Sequence, residues 1–239
     1  MRDPYLFSDI DVLRNLKDIR TSDELRLVEG EITRYTLALV YSHSFTEFNT
    51  ETLCEIHRII FDDLFDWAGE FRSISLIKHE EVLGGDSVQY SHPKQIKKEL
   101  RDISKEIAKL KRSEQKEDLL FKLVRITARI WQTHPFREGN TRTIISFLVL
   151  LAEHLNIVLD YSLFEEHAAY VRNALVWASQ GIYSKHEYLE RIFYDAAGVL
   201  PANGDIDVSV HKDYTHIEGY YVADYTEQPH VYIEEADSK

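Results

Sequence analysis

The chain has 239 residues, of which 44% are hydrophobic, and this suffices for one large globular domain or a domain with appendages. A net charge of −13 argues against general nucleic-acid binding, which needs a basic surface. The single cysteine, Cys54, excludes an internal disulfide, and the longest apolar run, 144–152, is too short to cross a bilayer.

Apolar residues at helical spacing predict that most of the chain is helical. Helices are expected, in chain order, over residues 1–20, 22–43, 53–65, 94–111, 119–131, 144–155, from 162 onward, and 184–197. Within the third of these, His57 lies beside apolar neighbours. A lone histidine in such a place is more often structural than a ligand, and we interpret His57 in that way.

One segment between the helices has a different pattern. Residues 71–77 alternate between apolar and polar, as a half-buried strand does. Gly84 and Gly85 indicate a turn, and residues 88–90 are expected to return as a second short strand. The sequence therefore predicts a small β-hairpin in an otherwise helical chain.

A polar ten-residue stretch, 134–143, separates the two most apolar predicted helices. Pro135 disfavours helical backbone at the residue before it, so the incoming helix should end there. Asn140 is a good N-cap for the outgoing helix, and Gly139 permits an unusual backbone angle or a close approach by a ligand. The N–H groups at the start of that helix, together with Arg142, predict an anion site suited to phosphate.

Two titratable side chains accompany this anion site. Glu138 is a hard oxygen ligand, and a carboxylate together with phosphate oxygens is the usual way to hold Mg²⁺. His134 can take a proton from a hydroxyl near neutral pH. Each residue by itself has an ordinary explanation, with Phe136 in the core and Arg137 facing solvent. The complete arrangement favours phosphoryl or nucleotidyl transfer.

The stretch His134 to Arg142 resembles the signature of the Fic family (Fido fold), His-Pro-Phe-x-Asp/Glu-Gly-Asn-x-Arg. Residues 56–72 are similar to the Fic helix that ends in a Trp-Ala-Gly turn, and the resemblance covers roughly residues 10–198. It implies an all-α fold, a Fic-type helical bundle with a small β-hairpin flap over the active site. We expect a Fic domain with N-terminal helices over 1–198 and an acidic C-terminal tail over 199–239.

The resemblance also implies an activity. Family members mostly transfer AMP from ATP to a Tyr, Ser or Thr hydroxyl of a target protein, and that target lies along the flap. By resemblance, His134 is the catalytic base and Glu138 holds Mg²⁺. Nucleotide binding is expected from Lys78, Gly139, Asn140, Thr141 and Arg142. For Lys78 the alternative, a solvated lysine of the hairpin, stays open.

Glu218 and Gly219 are similar to the autoinhibitory motif that some Fic proteins carry on a C-terminal helix, where the glutamate pairs with a motif arginine. The hydroxyl residue expected four places before Glu218 is displaced, so an acidic tail without this role is an equal alternative. The inhibitor would then be absent or would be a separate antitoxin.

Two departures from the family pattern leave the donor open. Thr141 stands where many members have Gly or Lys, and Ile145 replaces a second arginine. The alternatives are UMP, GMP, phosphocholine or kinase-type phosphate transfer, or a catalytically weak protein of a toxin–antitoxin pair. No signal-peptide pattern precedes the first helix, so a cytoplasmic location without nucleic-acid or membrane partners is expected. Export as an effector stays open.

Overall fold

The computed structural model describes residues 2–199, 213–226 and 229–233. These residues form eight α-helices: α1 (Ser22–Ser42), α2 (Thr50–Phe61), α3 (Pro93–Ile107), α4 (Lys116–Thr133), α5 (Asn140–His154), α6 (Tyr161–Glu166), α7 (Ala168–Ala178) and α8 (Glu187–Ala196). In the part of the chain so described, no helix has the length and apolar character needed to span a membrane.

Side-chain caps fix where several helices begin. Thr21 accepts a hydrogen bond from the backbone N–H of Glu24, and Asn49 accepts one from Thr52. Each satisfies a first-turn donor that the helix itself leaves without a partner. The predicted helices from residue 22 onward are confirmed, with ends that differ by a few residues.

Helices α4 and α5 form the centre of the core and flank the 134–143 stretch. On α5 nearly every side chain is buried, and on α4 the fully buried side chains include Leu120, Leu123 and Val124. Each buried Leu or Val stabilises the fold by about 1.5–3 kcal/mol relative to exposure. The polar stretch is therefore held at both ends by helices that are packed in the core.

The strands are short antiparallel pairs. β1 (Ser75–Ile77) pairs with β4 (Val231–Ile233), and β2 (His216–Ile217) pairs with β3 (Tyr220–Tyr221). The predicted fold class, a helical bundle with a small β element, is confirmed.

The pairing within the flap differs from the prediction. Residues 88–90 form no strand, and β1 pairs instead with β4 near the end of the chain. After β1 the chain enters a 3₁₀ turn at Glu81–Leu83, and a single bridge joins His79 to Ser87. Val88 is instead buried in the core, so residues 88–90 contribute to core packing and not to a β-sheet.

The helix predicted over residues 1–20 is absent. Val12 and Ile19 reach the core from this non-helical segment, which has one antiparallel bridge between Leu6 and Leu13. The amide of Asn15 bonds to the carbonyls of Leu13 and Ile19 and accepts from the N–H of Ile19. Such local side-chain bonds compete with the helical ladder.

Tail residues 213–226 pack on the helices. Tyr214, Ile217 and Val222 are buried members of the main hydrophobic core. The boundary expected after residue 198 lies mostly outside the described residues, because 200–212 are not described. The division into a 1–198 domain and a 199–239 tail stays a prediction.

The N-terminal segment is tied to the polar stretch by a buried ion pair. Arg137, expected to face solvent, donates to the carboxylate of Asp3 from both Nε and Nη2, at 3.0 and 2.8 Å. The two side chains are 5% and 4% exposed.

Replacing Asp3 by Ala leaves the Arg137 charge buried without its partner, so the free energy of unfolding should fall by about 3–5 kcal/mol. Urea denaturation measures this loss. Asp11→Ala is the matched control, because Asp11 pairs with Arg2 at the surface, and its cost should stay below about 1 kcal/mol. Equal losses in the two variants would contradict the assigned role of Asp3.

Candidate active site

The backbone at His134 is held in an unusual conformation. Its φ angle is +46°, a left-handed value that is uncommon for a residue with a side chain. The guanidinium of Arg72 is buried below it and donates to the carbonyl of His134 at 2.7 Å, and also to those of Ile74, Ser91 and Thr133. These bonds fix the chain where α4 ends and orient the histidine.

A closed ring of hydrogen bonds shapes the middle of the loop. The Asn140 amide accepts from the N–H of Phe136 and donates to its carbonyl, both at 2.9 Å. The N-cap of α5 is therefore Gly139. The prediction that Asn140 caps this helix is wrong. Phe136 is fully buried, as expected.

Glycine is required at position 139. Its φ angle is +77°, and a Cβ there would lie 2.2 Å from the ring of Phe61. The next carbonyl back, that of Glu138, accepts a hydrogen bond from Nε2 of His57 at 3.1 Å. Nδ1 of His57 accepts from the N–H of Gly69 at 2.8 Å, so the interpretation of His57 as structural is confirmed.

The His134 side chain has one ring nitrogen suited to accept a proton. Nδ1 lies 3.3 Å from the carbonyl oxygen of Trp131 and donates to it, which leaves Nε2 as the acceptor. Nε2 lies 2.8 Å from Nε2 of His230, a residue near the end of the chain. Burial, with the neighbouring His230, Arg72 and Lys78, lowers the pKa of His134 well below its ordinary value. The ring is therefore neutral at neutral pH.

Glu138 lies beside this histidine and is ionised. Burial opposes its ionisation, but the neighbouring His230, the charge of Lys78 and the N–H of Gly139 hold its pKa well below the usual value. Oε1 accepts from Gly139 at 2.9 Å, and Oε2 lies 3.7 Å from Nδ1 of His230. Lys78 is buried on the same cavity.

The other motif residues expected to bind nucleotide line this cavity too. Arg142 contacts the carboxylate of Glu29 on α1 and donates to Thr33 at 3.2 Å. The hydroxyl of Thr141 accepts from the indole N–H of Trp131 at 3.0 Å. The structure thus brings Lys78, His134, Glu138, Gly139, Asn140, Thr141 and Arg142 together around one cavity.

Glu218 lies elsewhere. It contacts Lys185, which precedes α8, and Tyr188 on α8. Arg142, which would have to replace the missing arginine as its partner, is contacted by Glu29 instead. Glu218 and Gly219 do not sit on a helix but form the two-residue turn between β2 and β3, with φ angles of +51° and +78°. Positive φ at both positions is the type I′ turn that tight hairpins prefer, and glycine suits its second place.

The cavity has a volume of about 870 Å³, within the range of small-molecule sites. Its walls come from the N-terminal segment, α1, the 134–143 loop, the start of α7 and the tail. The start of α5 contributes first-turn N–H groups and the positive end of the helix dipole. A neutral base, a carboxylate, cations and these N–H groups together suit an anionic nucleotide.

The model of the Fic/DOC family matches residues 45–152. "Probable protein adenylyltransferase y4lH" of Sinorhizobium fredii is 31% identical over 175 residues, which are 69% of this chain and 83% of that protein. The chain belongs to the Fic/DOC family. "Protein adenylyltransferase VbhT" of Bartonella schoenbuchensis is 27% identical over 173 residues, covering 66% of this chain but only 32% of VbhT.

A solved Fic-type structure has the same fold. The BepC protein of Bartonella tribocorum, solved with bound AMPPNP, superposes with a TM-score of 0.66 at 22% identity. The match covers 80% of this chain and 95% of that chain.

Four residues of this Fic site were not singled out in the sequence: Glu29, Arg72, Tyr90 and His230. Tyr90 stacks on His134 with ring centroids 4.0 Å apart. The arginine ending the Trp-Ala-Gly segment, Arg72, was part of the resemblance but had no role assigned. Glu29 does have a signal in the sequence: Glu29 and Gly30 form the same Glu-Gly pair as residues 218–219.

The buried histidine of α2 predicts acid sensitivity of the fold. Burial lowers the pKa of His57 to about 3, against 6.5 for an unshifted histidine. Below pH 6.5 the unfolded chain binds a proton at His57 that the folded chain does not, so stability falls as pH falls. The slope from this residue is about 1.4 kcal/mol per pH unit.

His57→Gln keeps a donor and an acceptor but cannot titrate, so its slope between pH 6.5 and 4.5 should be lower by about that amount. Urea denaturation at several pH values measures the difference. The exposed His43→Gln is the control and should keep the wild-type slope. An unchanged slope in His57→Gln would contradict a neutral, buried His57.

Proposed function

We propose that this chain is a protein adenylyltransferase that transfers AMP from ATP to a Tyr, Ser or Thr hydroxyl of a target protein. The observation that carries the proposal is the position of His134 Nε2, an acceptor beside Glu138 and the start of α5 in one cavity. Support comes from the family membership, from relatives named protein adenylyltransferase, and from the similar structure with bound AMPPNP.

His134 acts as the general base. Its neutral Nε2 takes the proton of the target hydroxyl as the oxygen forms a bond to the α-phosphorus of ATP. The bond from the α-phosphorus to the bridging oxygen breaks, and pyrophosphate leaves. The hydrogen bond from Nδ1 to Trp131 keeps the tautomer that this step requires, and it stabilises the imidazolium that results.

Phosphate oxygens are held by the start of α5. Its first-turn N–H groups point along the helix axis, and Lys78 adds a buried positive charge. Arg142 supplies a planar fork of donors once the carboxylate of Glu29 withdraws from it. The Asn140 side chain is occupied by Phe136, so its contribution is through the backbone.

Glu138 is the residue that would hold Mg²⁺. Among the described residues no group of three or more His, Cys, Asp or Glu side chains forms a metal site. A single ionised carboxylate fits Mg²⁺ when phosphate oxygens and water supply the other ligands. A metal ion held by Glu138 would supply positive charge next to the transferring phosphate.

A target segment would pair with the edge of β1. Such strand addition uses main-chain hydrogen bonds and therefore places a side chain without reading much sequence. A cytoplasmic location would supply ATP, Mg²⁺ and protein targets. An antitoxin that covers the cavity would be a second class of partner.

The alternative donors rest on two positions, Thr141 and Ile145. Ile145, at the place of a second family arginine, points into the core and is 9% exposed. A γ-phosphate therefore has one fewer anchor here, which favours a test of several nucleotides.

With α-labelled ATP, Mg²⁺ and cell lysate, the chain should label a protein. His134→Ala should reduce the rate by about 10²–10⁴-fold, the usual contribution of a general base. The exposed His43→Ala is the matched control and should label at the wild-type rate. Label only from γ-labelled ATP would mean phosphate transfer, and no label from any α-labelled nucleotide in any variant would sink the proposal.

The Glu29–Arg142 contact predicts that the wild-type chain is restrained. A guanidinium held by a carboxylate is less available to phosphate, so Glu29→Gln should raise the labelling rate by about ten-fold, the equivalent of one charge-assisted hydrogen bond. Glu31→Gln, on an exposed position of the same helix, is the control. If adding His134→Ala abolishes the rise, the effect lies in the same site. Unchanged labelling in Glu29→Gln would contradict a restraining Glu29–Arg142 contact.

A further inference from the structure

The edge of β1 that would receive a target is already paired with the chain's own tail. β4 runs antiparallel to β1, with Val231 opposite Ile77, Tyr232 opposite Leu76 and Ile233 opposite Ser75. A segment added to this edge from another protein would have to take the place of β4.

The residue before β4 reaches the catalytic pair. Nε2 of His230 lies 2.8 Å from Nε2 of His134, and Nδ1 of His230 lies 3.7 Å from Oε2 of Glu138. The His230 side chain is 4% exposed. One imidazole therefore sits against both the base and the carboxylate of the site.

His134 has no ring nitrogen left for an incoming hydroxyl in this arrangement. Nδ1 donates to Trp131, and Nε2 accepts from His230. The ring face is stacked against Tyr90, and the Trp131 ring meets it edge-on with centroids 5.3 Å apart. The position of Nε2 of His230 is thus the position that an acceptor hydroxyl must occupy.

We propose that residues 229–233 are an intramolecular mimic of the target segment, with β4 on the flap edge and the His230 imidazole at the acceptor position. This rests on the proposed function, because the acceptor position has meaning only for transfer to a hydroxyl. Since an imidazole offers no hydroxyl, the mimic blocks the site instead of being modified. The tail must leave β1 before a target enters.

The mimic also defines how a target must dock. Its acceptor residue immediately precedes an extended segment, and the first residue of that segment lies opposite Ile77 in antiparallel register. Val231 and Ile233 are 48% and 42% exposed, so strand propensity, and not contact with the edge, sets the preference at the first and third places of the segment.

A tyrosine or threonine at position 230 should turn the blocking segment into a substrate. In the 239-residue chain with His230→Tyr or His230→Thr, the hydroxyl oxygen forms a bond to the α-phosphorus of ATP and its proton passes to His134. The bond to the bridging oxygen breaks, and pyrophosphate leaves. The tyrosine hydroxyl reaches beyond the position that Nε2 of His230 occupies, and the threonine hydroxyl falls short of it.

The expected result is AMP at position 230 in at least one of these variants, located by peptide mass spectrometry. Its rate should be independent of protein concentration, because the reaction is intramolecular, and adding His134→Ala should abolish it. AMP on other residues but never at position 230 would overturn the mimic.

Binding provides a readout that does not depend on catalysis. The double variant Val231→Pro/Tyr232→Pro removes one ladder donor in either pairing phase, because hydrogen-bonded and non-bonded pairs alternate. A fluorescein-labelled peptide with the sequence of residues 226–236 should bind this variant about ten-fold more tightly than wild type, by fluorescence anisotropy. Equal binding would mean that β4 does not occupy the docking edge and would overturn the proposal.

Removal of the His230 imidazole should release activity. His230→Ala should raise labelling of added protein by about ten-fold, and His216→Ala, an exposed tail histidine, should not. If the tail only covers a strand edge, His230→Ala labels at the wild-type rate, and the proposal is overturned. If no variant labels anything while the peptide still binds only the double-proline chain, the proposed function fails but the docking edge stands.

Discussion

The geometry of the site depends on the hydrogen bonds of one buried guanidinium. Arg72 donates to the carbonyls of Ile74, Ser91, Thr133 and His134, so it joins the start of the flap, the segment before α3 and the end of α4. Burial lowers the pKa of Arg72 to about 10, and it remains charged at neutral pH. Four backbone oxygens offset part of the cost of burying this charge, and the arrangement tolerates few rearrangements. The bond from Arg72 to the His134 carbonyl holds the left-handed backbone in place, and the carbonyl of Trp131 then sets the tautomer of the base.

The sequence predicted what is local. Helices from residue 22 onward follow from apolar spacing and from caps such as Thr21 and Asn49, whose partners lie three residues away. The contents of the 134–143 loop were predicted because its residues are adjacent. The contacts that complete the site join residues about a hundred apart: Glu29 to Arg142, Asp3 to Arg137 and His230 to His134. A three-residue strand such as β4 has no periodicity to detect, so its pairing with β1 appears only in three dimensions.

Two expectations failed for reasons of backbone geometry. Asn140 has the composition of an N-cap, but the tight 136–140 loop uses both ends of its amide and leaves the cap to Gly139. Glu218 and Gly219 match an inhibitory motif, but a type I′ turn selects glycine at its second position for conformational reasons. A short motif match therefore carries weight only with the element that the motif requires. Glu29 lies on a long helix and meets an arginine, whereas Glu218 does neither.

The short distance along the chain between the docked β2–β3 hairpin and β4 has a consequence for selectivity. A strand attached by a short tether has an effective concentration on the order of millimolar at its own site. In the proposed mechanism, a target competes with that concentration, and its apparent affinity is reduced by the fraction of chains whose edge is open. Proteins that meet the edge only by diffusion are then poor substrates, and those held nearby through a second contact are modified. Discrimination among targets would arise from the tether as much as from the residues that touch them.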